Sequence, residues 1–272
     1  MPLDTLARTL AEIAIAAGGP VASVHAQGCA TRWKPDGSPV TEADLAAERL
    51  ILERLAKAFP GVPVVAEESV AAGHRPEFGS RFLLVDPLDG TREFIAGRRE
   101  FTVNLAMIED GRPIAGAIYA PLLERVWFGG TSSYTDSAAP GSDAADLGSA
   151  RRIRVRAPPD AGLVALVSRS HPDPATEAYL LRLPLAERRP MGSSLKFCRI
   201  AEGLADVYPR MGGIREWDIA AGHAILQAAG GTMTALDGAS LRYGDPAGDF
   251  RFPGFLASGG FGLPASGPSV AM

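Results

Sequence analysis

Cysteine is nearly missing from this chain. Two residues in 272, Cys29 and Cys198, are too few and too scattered for a disulfide framework or a zinc cluster, and they point to a reducing compartment. No uninterrupted apolar stretch approaches the roughly 18 to 20 residues of a membrane span. Asp4, Arg8 and Glu12 break the apolar pattern of the N-terminal stretch, which therefore lacks the centre of a secretory signal. A basic surplus is also absent: 27 Lys and Arg face 31 Asp and Glu, a net charge of −4. Polymeric nucleic acid is thereby disfavoured as a partner, because binding its backbone needs a sustained basic field. Small anions stay open to local basic residues. The expectation is a cytoplasmic protein acting on a small molecule, with peripheral membrane association left open.

What is present is a globular composition, 46% hydrophobic and 21% charged, long enough for a substantial core. Leu3, Leu6, Leu10, Ile13 and Ala17 recur at helical spacing with Asp4 placed as N-cap. A second helix is expected over 41–59, with Leu45, Leu52, Leu55 and Phe59 on one face, after a hairpin turn at Asp36-Gly37. From Val62 onward short apolar segments run into polar loops, then "FTVNLAMI", "PIAGAIYA" and "ERVWFGG" read as an antiparallel meander turning at Asp110-Gly111. Residues 129–150 are small and polar enough for a surface loop and mark a domain boundary, giving halves 1–150 and 151–272. The second half alternates strand and helix. The fold class is α/β (α+β).

Three acidic groups carry the chemistry. Glu67-Glu68 ends one strand, Asp86 and Asp89 end the next within "LLVDPLDGT", and Asp218 starts a helix. Carboxylates converging at strand ends suit a hard divalent cation such as Mg²⁺, which takes carboxylate, carbonyl and water oxygens. Pro87 lacks an N–H and fixes its own φ, so the turn can leave the Leu88 carbonyl inward beside both aspartates. Singly, each acid has an ordinary explanation: Asp-Pro and Asp-Gly make turns, an acid at a helix start is a favourable cap, and Thr41-x-x-Asp44 is a variant capping box. The three-residue spacing of Asp86 and Asp89, with a proline between, disfavours an aspartyl nucleophile and favours a metal-bound water.

Together "AEES" (66–69), "DPLDGT" (86–91) and "WDIAAGHAILQAAGG" (217–231) resemble the three signatures of the inositol monophosphatase superfamily, magnesium-dependent and lithium-sensitive phosphatases. The resemblance implies a layered αβαβα sandwich with two or three Mg²⁺ ions between its halves. By position it makes Glu67, Asp86, the Leu88 carbonyl, Asp89 and Asp218 metal ligands, and Asp44 and Thr91 the pair that orients the attacking water. Glu67 counts among the catalytic residues as well, and phosphate rests against the N–H groups of Gly90 and Thr91.

"VSRSH" (167–171), "GSSLKFC" (192–198) and "ADVYPR" (205–210) look like the 3′(2′),5′-bisphosphate nucleotidase branch. By resemblance, His171, Ser193, Lys196 and Arg210 contact the substrate, together with Leu88, Asp89, Gly90, Thr91 and Asp218. The position of Arg210 is typically acidic in inositol monophosphatases, and a guanidinium there suits a second phosphate. The implied reaction is hydrolysis of adenosine 3′,5′-bisphosphate (PAP) to AMP and phosphate, with its sulfated form PAPS as a further substrate. The alternatives are an inositol, sugar-phosphate or histidinol-phosphate monophosphatase of the same superfamily, and a metal- and nucleotide-binding sensor without turnover. A homodimer is compatible with the resemblance, and the segment of Trp33 and Lys34 is placed to close over the metals.

Overall fold

The computed structural model describes residues 1–28, 30–34, 37–142 and 147–265. Cys29, Asp36 of the expected hairpin turn, and 143–146 of the expected loop lie outside them. Helix α1 (Leu3–Gln27) is followed by a ribbon of β1 (Arg32–Trp33) and β2 (Pro39–Val40), helix α2 (Glu42–Ala58), strand β3 (Val64–Ala66) and the short helix α3 (Glu67–Ala71). Strand β4 (Arg81–Asp89) leads into α4 (Thr91–Ile95), and β5 (Thr102–Glu109), β6 (Arg112–Ala120), β7 (Arg125–Gly129), β8 (Ser133–Ser137) and β9 (Arg151–Ile153) follow. Next come β10 (Leu163–Ser168), α5 (Pro174–Leu180), β11 (Leu185–Met191), α6 (Leu195–Ala201), β12 (Val207–Arg210) and β13 (Ile214–Arg215). Helix α7 (Glu216–Ala228), β14 (Thr232–Thr234), β15 (Arg251–Phe252) and β16 (Phe255–Ser258) complete the order.

Strands β3 to β9 form one seven-stranded sheet in chain order, antiparallel except for the β3–β4 pair. The second sheet runs β11-β10-β12-β16-β14, parallel on one side and antiparallel on the other. Strand β4 is buried on both faces, so it reads as a continuous apolar run. One face packs Leu83 and Val85 with Leu6, Leu10 and Ile51 of α1 and α2; the other packs Phe82 and Leu84 with Phe197 of α6 and Trp217 of α7. Helix α5 covers the far side of the second sheet through Tyr179 and Leu180. The layers are helices, sheet, helices, sheet, helix, as the resemblance implies.

Helix α7 lies unusually close to the first sheet. Gly116 and Gly129 stand directly opposite each other in register on β6 and β7. A Cβ on Gly116 would meet the Ala221 carbonyl oxygen at 2.7 Å, and one on Gly129 would meet Ile225 Cα at 2.9 Å. Two missing side chains thus admit the helix backbone.

Three sequence expectations are corrected. Asp4 does not cap α1, whose N-cap is Pro2; its Oδ1 accepts the N–H groups of Thr131 at 2.7 Å and Ser132 at 3.0 Å, tying down the β7–β8 turn. The buried face of α2 is Ala43, Ala47, Ile51 and Leu55, while Leu45 is exposed. Alanines suffice there because α2 packs closely on α1, and a leucine at 45 falls on the outer stripe. The 129–150 stretch holds strand β8, whose Ser133 and Thr135 are buried; paired backbone and small hydroxyls let a polar sequence enter a sheet.

Candidate active site

The strongest carboxylate convergence among the described residues lies where β3, β4 and α7 meet. Oxygens of Glu67, Asp86 and Asp218 fall within 4.8 Å of one another. Each is placed by local chemistry. Glu67 opens α3, a helix without a side-chain N-cap of its own. Buried Glu48 of α2 serves instead, accepting N–H of Glu68 and of Ser69 at 2.8 Å and the Ser69 hydroxyl at 2.6 Å. Asp86 accepts the Leu88 N–H at 3.0 Å, the short turn that Pro87 permits. Asp218 sits three residues after Arg215, whose N–H it accepts at 3.3 Å, so it caps α7 and joins the cluster at once.

Burial pushes Asp86 well above the usual carboxylate range, with Glu67, Asp89 and Asp218 adding repulsion. Burial raises Asp218 as well, followed by the charges of Asp89 and Glu67. Such a cluster cannot hold all its negative charge without a compensating cation. The donors are hard oxygens with no thiolate or imidazole among them, which fits a hard divalent metal. Lys34, at the end of β1, supplies one compensating charge: its Nζ lies 2.7 Å from Glu67 Oε1 and from Glu68 Oε1. Those charges hold its ammonium above its ordinary pKa against the opposing effect of burial.

Beside the cluster Gly90 adopts φ +92°, a left-handed conformation, and a Cβ there would lie 3.1 Å from the Glu100 carbonyl oxygen. That turn starts α4 at Thr91. The Thr91 hydroxyl is 3.1 Å from the Leu88 carbonyl and 3.4 Å from Asp44 Oδ1. Asp44 Oδ2 accepts the Thr41 N–H at 2.7 Å and hydroxyl at 2.6 Å. One oxygen of Asp44 thus closes the capping box while the other faces Thr91. Burial pushes the Asp44 carboxyl up to about 6.

A cavity of about 290 Å³ opens over these groups. Glu67, Asp86, Leu88, Asp89, Gly90, Thr91, His171, Ser193, Lys196, Arg210 and Asp218 all line it; Asp44 stands behind Thr91. Arg210 directs Nε and Nη2 to the carbonyls of Gly212 and Gly213 at 3.3 and 3.2 Å. Lys196 is buried, donates to the carbonyls of Ser193 at 2.6 Å and Met191 at 3.2 Å, and lies 4.8 Å over the Tyr208 ring. His171 is held below its ordinary pKa first by desolvation, then by Arg210 and Arg92.

Further residues knit the two sheets here. Arg169 forks onto Glu100 at 2.8 and 2.9 Å, so it serves the framework. Glu100 also accepts the Gly192 N–H at 2.9 Å. The segment of Lys34 was expected over the metals, but its pairing with Glu67 and Glu68 was not legible in the sequence, and Ser194 was hidden beside Ser193 in the same motif. Trp33 is 68% exposed.

A layered sandwich with hard carboxylates gathered between its sheets, under a cavity rich in cations, is the architecture of a metal-dependent phosphatase of phosphate monoesters. The chain belongs to the inositol monophosphatase family, whose model matches residues 3–257. It is 42% identical over 224 residues to the 3′(2′),5′-bisphosphate nucleotidase CysQ of Salmonella typhimurium, covering 82% of this chain and 86% of that one. Among solved structures it is similar to CysQ of Bacteroides thetaiotaomicron, with TM-score 0.77 and 32% identity over 95% of this chain and 98% of the other. An IMPase of Thermotoga maritima follows with TM-score 0.74, 26% identity and coverage of 94% and 92%. No helix among the described residues is long and apolar enough to cross a membrane.

Proposed function

We propose that this chain is a Mg²⁺-dependent 3′(2′),5′-bisphosphate nucleotidase that hydrolyses adenosine 3′,5′-bisphosphate to AMP and phosphate, and also accepts PAPS. The observation that carries the reading is the pairing of a carboxylate cluster with Arg210, Lys196 and His171 in one cavity. One phosphate needs the acidic end and a second needs the basic end. The similarity to the Salmonella nucleotidase supports the same substrate class.

In this reading half 1–150 supplies Glu67, Asp86, Asp89 and the Leu88 carbonyl, and half 151–272 supplies Asp218 and the basic residues. Bound Mg²⁺, two or three ions, would acidify a water and clamp the phosphate oxygens. With the Leu88 carbonyl turned to a metal, the Thr91 hydroxyl would donate its one hydrogen bond to Asp44 Oδ1, leaving a Thr91 Oγ1 lone pair to accept from the attacking water. Gly90 and Thr91 N–H groups and Ser193 hold the scissile phosphate. Arg210, seconded by Lys196 and His171, holds the other phosphate end. We place the enzyme in the cytoplasm, as a homodimer, with no nucleic-acid polymer as partner.

The test is phosphate release from adenosine 3′,5′-bisphosphate and from inositol 1-phosphate, side by side, with Mg²⁺ and then with Li⁺ added. A lithium-inhibited preference for the bisphosphate is expected. A preference for inositol phosphate would discard the substrate pocket while keeping the metal chemistry, and no release from either would favour a sensor.

A further inference from the structure

Ser194, at the N-terminal edge of α6, is 2% exposed. Its N–H donates to Asp89 Oδ2 at 2.6 Å, and its Oγ lies 2.8 Å from that same oxygen. The Oγ is also 2.7 Å from the Asp218 backbone carbonyl and accepts from Asn104 Nδ2 at 3.0 Å. One hydroxyl thus touches groups from β4, β5 and α7 while belonging to α6.

A hydroxyl has a single hydrogen and two lone pairs. Asn104, itself 1% exposed, occupies a lone pair, so the hydrogen is shared between Asp89 Oδ2 and the Asp218 carbonyl. Both are well within bonding distance. Asp89 Oδ2 is then held twice from the protein side, which stops the carboxylate from rotating. Its Oδ1 has no partner among the described residues, and Asp89 lines the cavity. The carboxylate is therefore presented by one oxygen only, at a fixed distance from the first turn of α7.

We infer that Ser194 is a positioning residue of the metal site: it fixes the rotation of Asp89 and spaces that carboxylate from Asp218 across the junction of the two sheets. The assignment rests on the proposed metal-dependent chemistry. Outer partners of this kind orient ligands, and their loss costs roughly 10- to 100-fold in metal affinity or activity.

The experiment compares wild type with Ser194→Ala. Thermal unfolding is followed across a Mg²⁺ titration without substrate, and kcat and KM are measured at saturating Mg²⁺. The expected result is a native far-UV spectrum and a half-saturating Mg²⁺ concentration raised about 10-fold or more. At saturating metal, kcat should fall while KM changes little. Should Ser194→Ala not fold, Ser194→Cys keeps the volume with a weak donor and gives the same readout. A half-saturating Mg²⁺ concentration within about twofold of wild type, in a variant that folds, would overturn the assignment while leaving the metal reading intact. Absence of any Mg²⁺ stabilisation in wild type would overturn the metal reading, and the assignment with it.

Discussion

The Lys34 ammonium sits 2.7 Å from a carboxylate oxygen of Glu67 and equally close to one of Glu68. A single cation serves two adjacent acids, one of which, Glu68, is pushed up to about 8, chiefly by burial and then by the Glu67 charge. Lys34→Met leaves both acids without a counter-charge, and losing one partner of a largely buried pair costs about 3 kcal/mol. The urea midpoint in EDTA should fall accordingly. Added Mg²⁺ should recover part of the loss, since a dication at Glu67 replaces the missing charge. An unchanged midpoint in EDTA would show that the pair is not structural.

Asp86→Asn should act in opposite directions on stability and activity. Removing a fully buried charge that Glu67, Asp89 and Asp218 all repel should raise the melting temperature in chelator. The same change should remove Mg²⁺-dependent stabilisation and lower phosphate release by about 10³-fold or more, an effect of the size seen when electrostatic catalysis is lost. Asp89→Asn should likewise abolish turnover with the fold intact. Wild-type-like activity in either variant would sink the ligand assignment.

Arg210→Glu tests substrate choice. Charge-assisted hydrogen bonds contribute about 1.5 to 3 kcal/mol, so the ratio of kcat/KM for bisphosphate over monophosphate should drop by about 10- to 100-fold. A constant ratio would confine Arg210 to its bonds with Gly212 and Gly213.

His223 should give the protein an acid-sensitive stability unrelated to the carboxylates. It is buried in the middle of α7 with Nδ1 2.9 Å from the Tyr243 hydroxyl, and burial lowers its pKa to about 4. The unfolded state binds this proton near pH 6.5 and the folded state does not. Stability from this group is therefore full above pH 6.5 and lost as pH falls toward 4, about 3 kcal/mol in all. His223→Asn, whose Oδ1 can meet Tyr243, should show a shallower decline over that window in urea titrations. An identical decline would assign the acid sensitivity elsewhere.

Much of the fold was legible because apolar periodicity dominates it. The β5–β6–β7 meander and the Asp110-Gly111 turn, with φ +50° and +71°, follow directly from alternation and turn chemistry. Strand β11, "LAERRPM", was not legible, since it is a largely exposed edge strand of charged residues whose β state comes from pairing with β10. Asp4 was misread because helix-cap and turn-cap roles use the same residue type. Within the site, a motif could point to each acid, but no motif could show that Ser194 joins Asp89 to the Asp218 carbonyl. That relationship joins residues 105 apart in sequence.

The glycine pair at 116 and 129 sets a steric limit on substitution away from the cavity. Because α7 rests on bare backbone, no flexible side chain lies between sheet and helix to absorb a substitution at either position. Any added carbon there would shift the rod that carries Asp218 at its tip. Two positions outside the lining of the cavity thus govern in part where the Asp218 carboxylate stands, and a substitution at either would be felt at the carboxylate cluster.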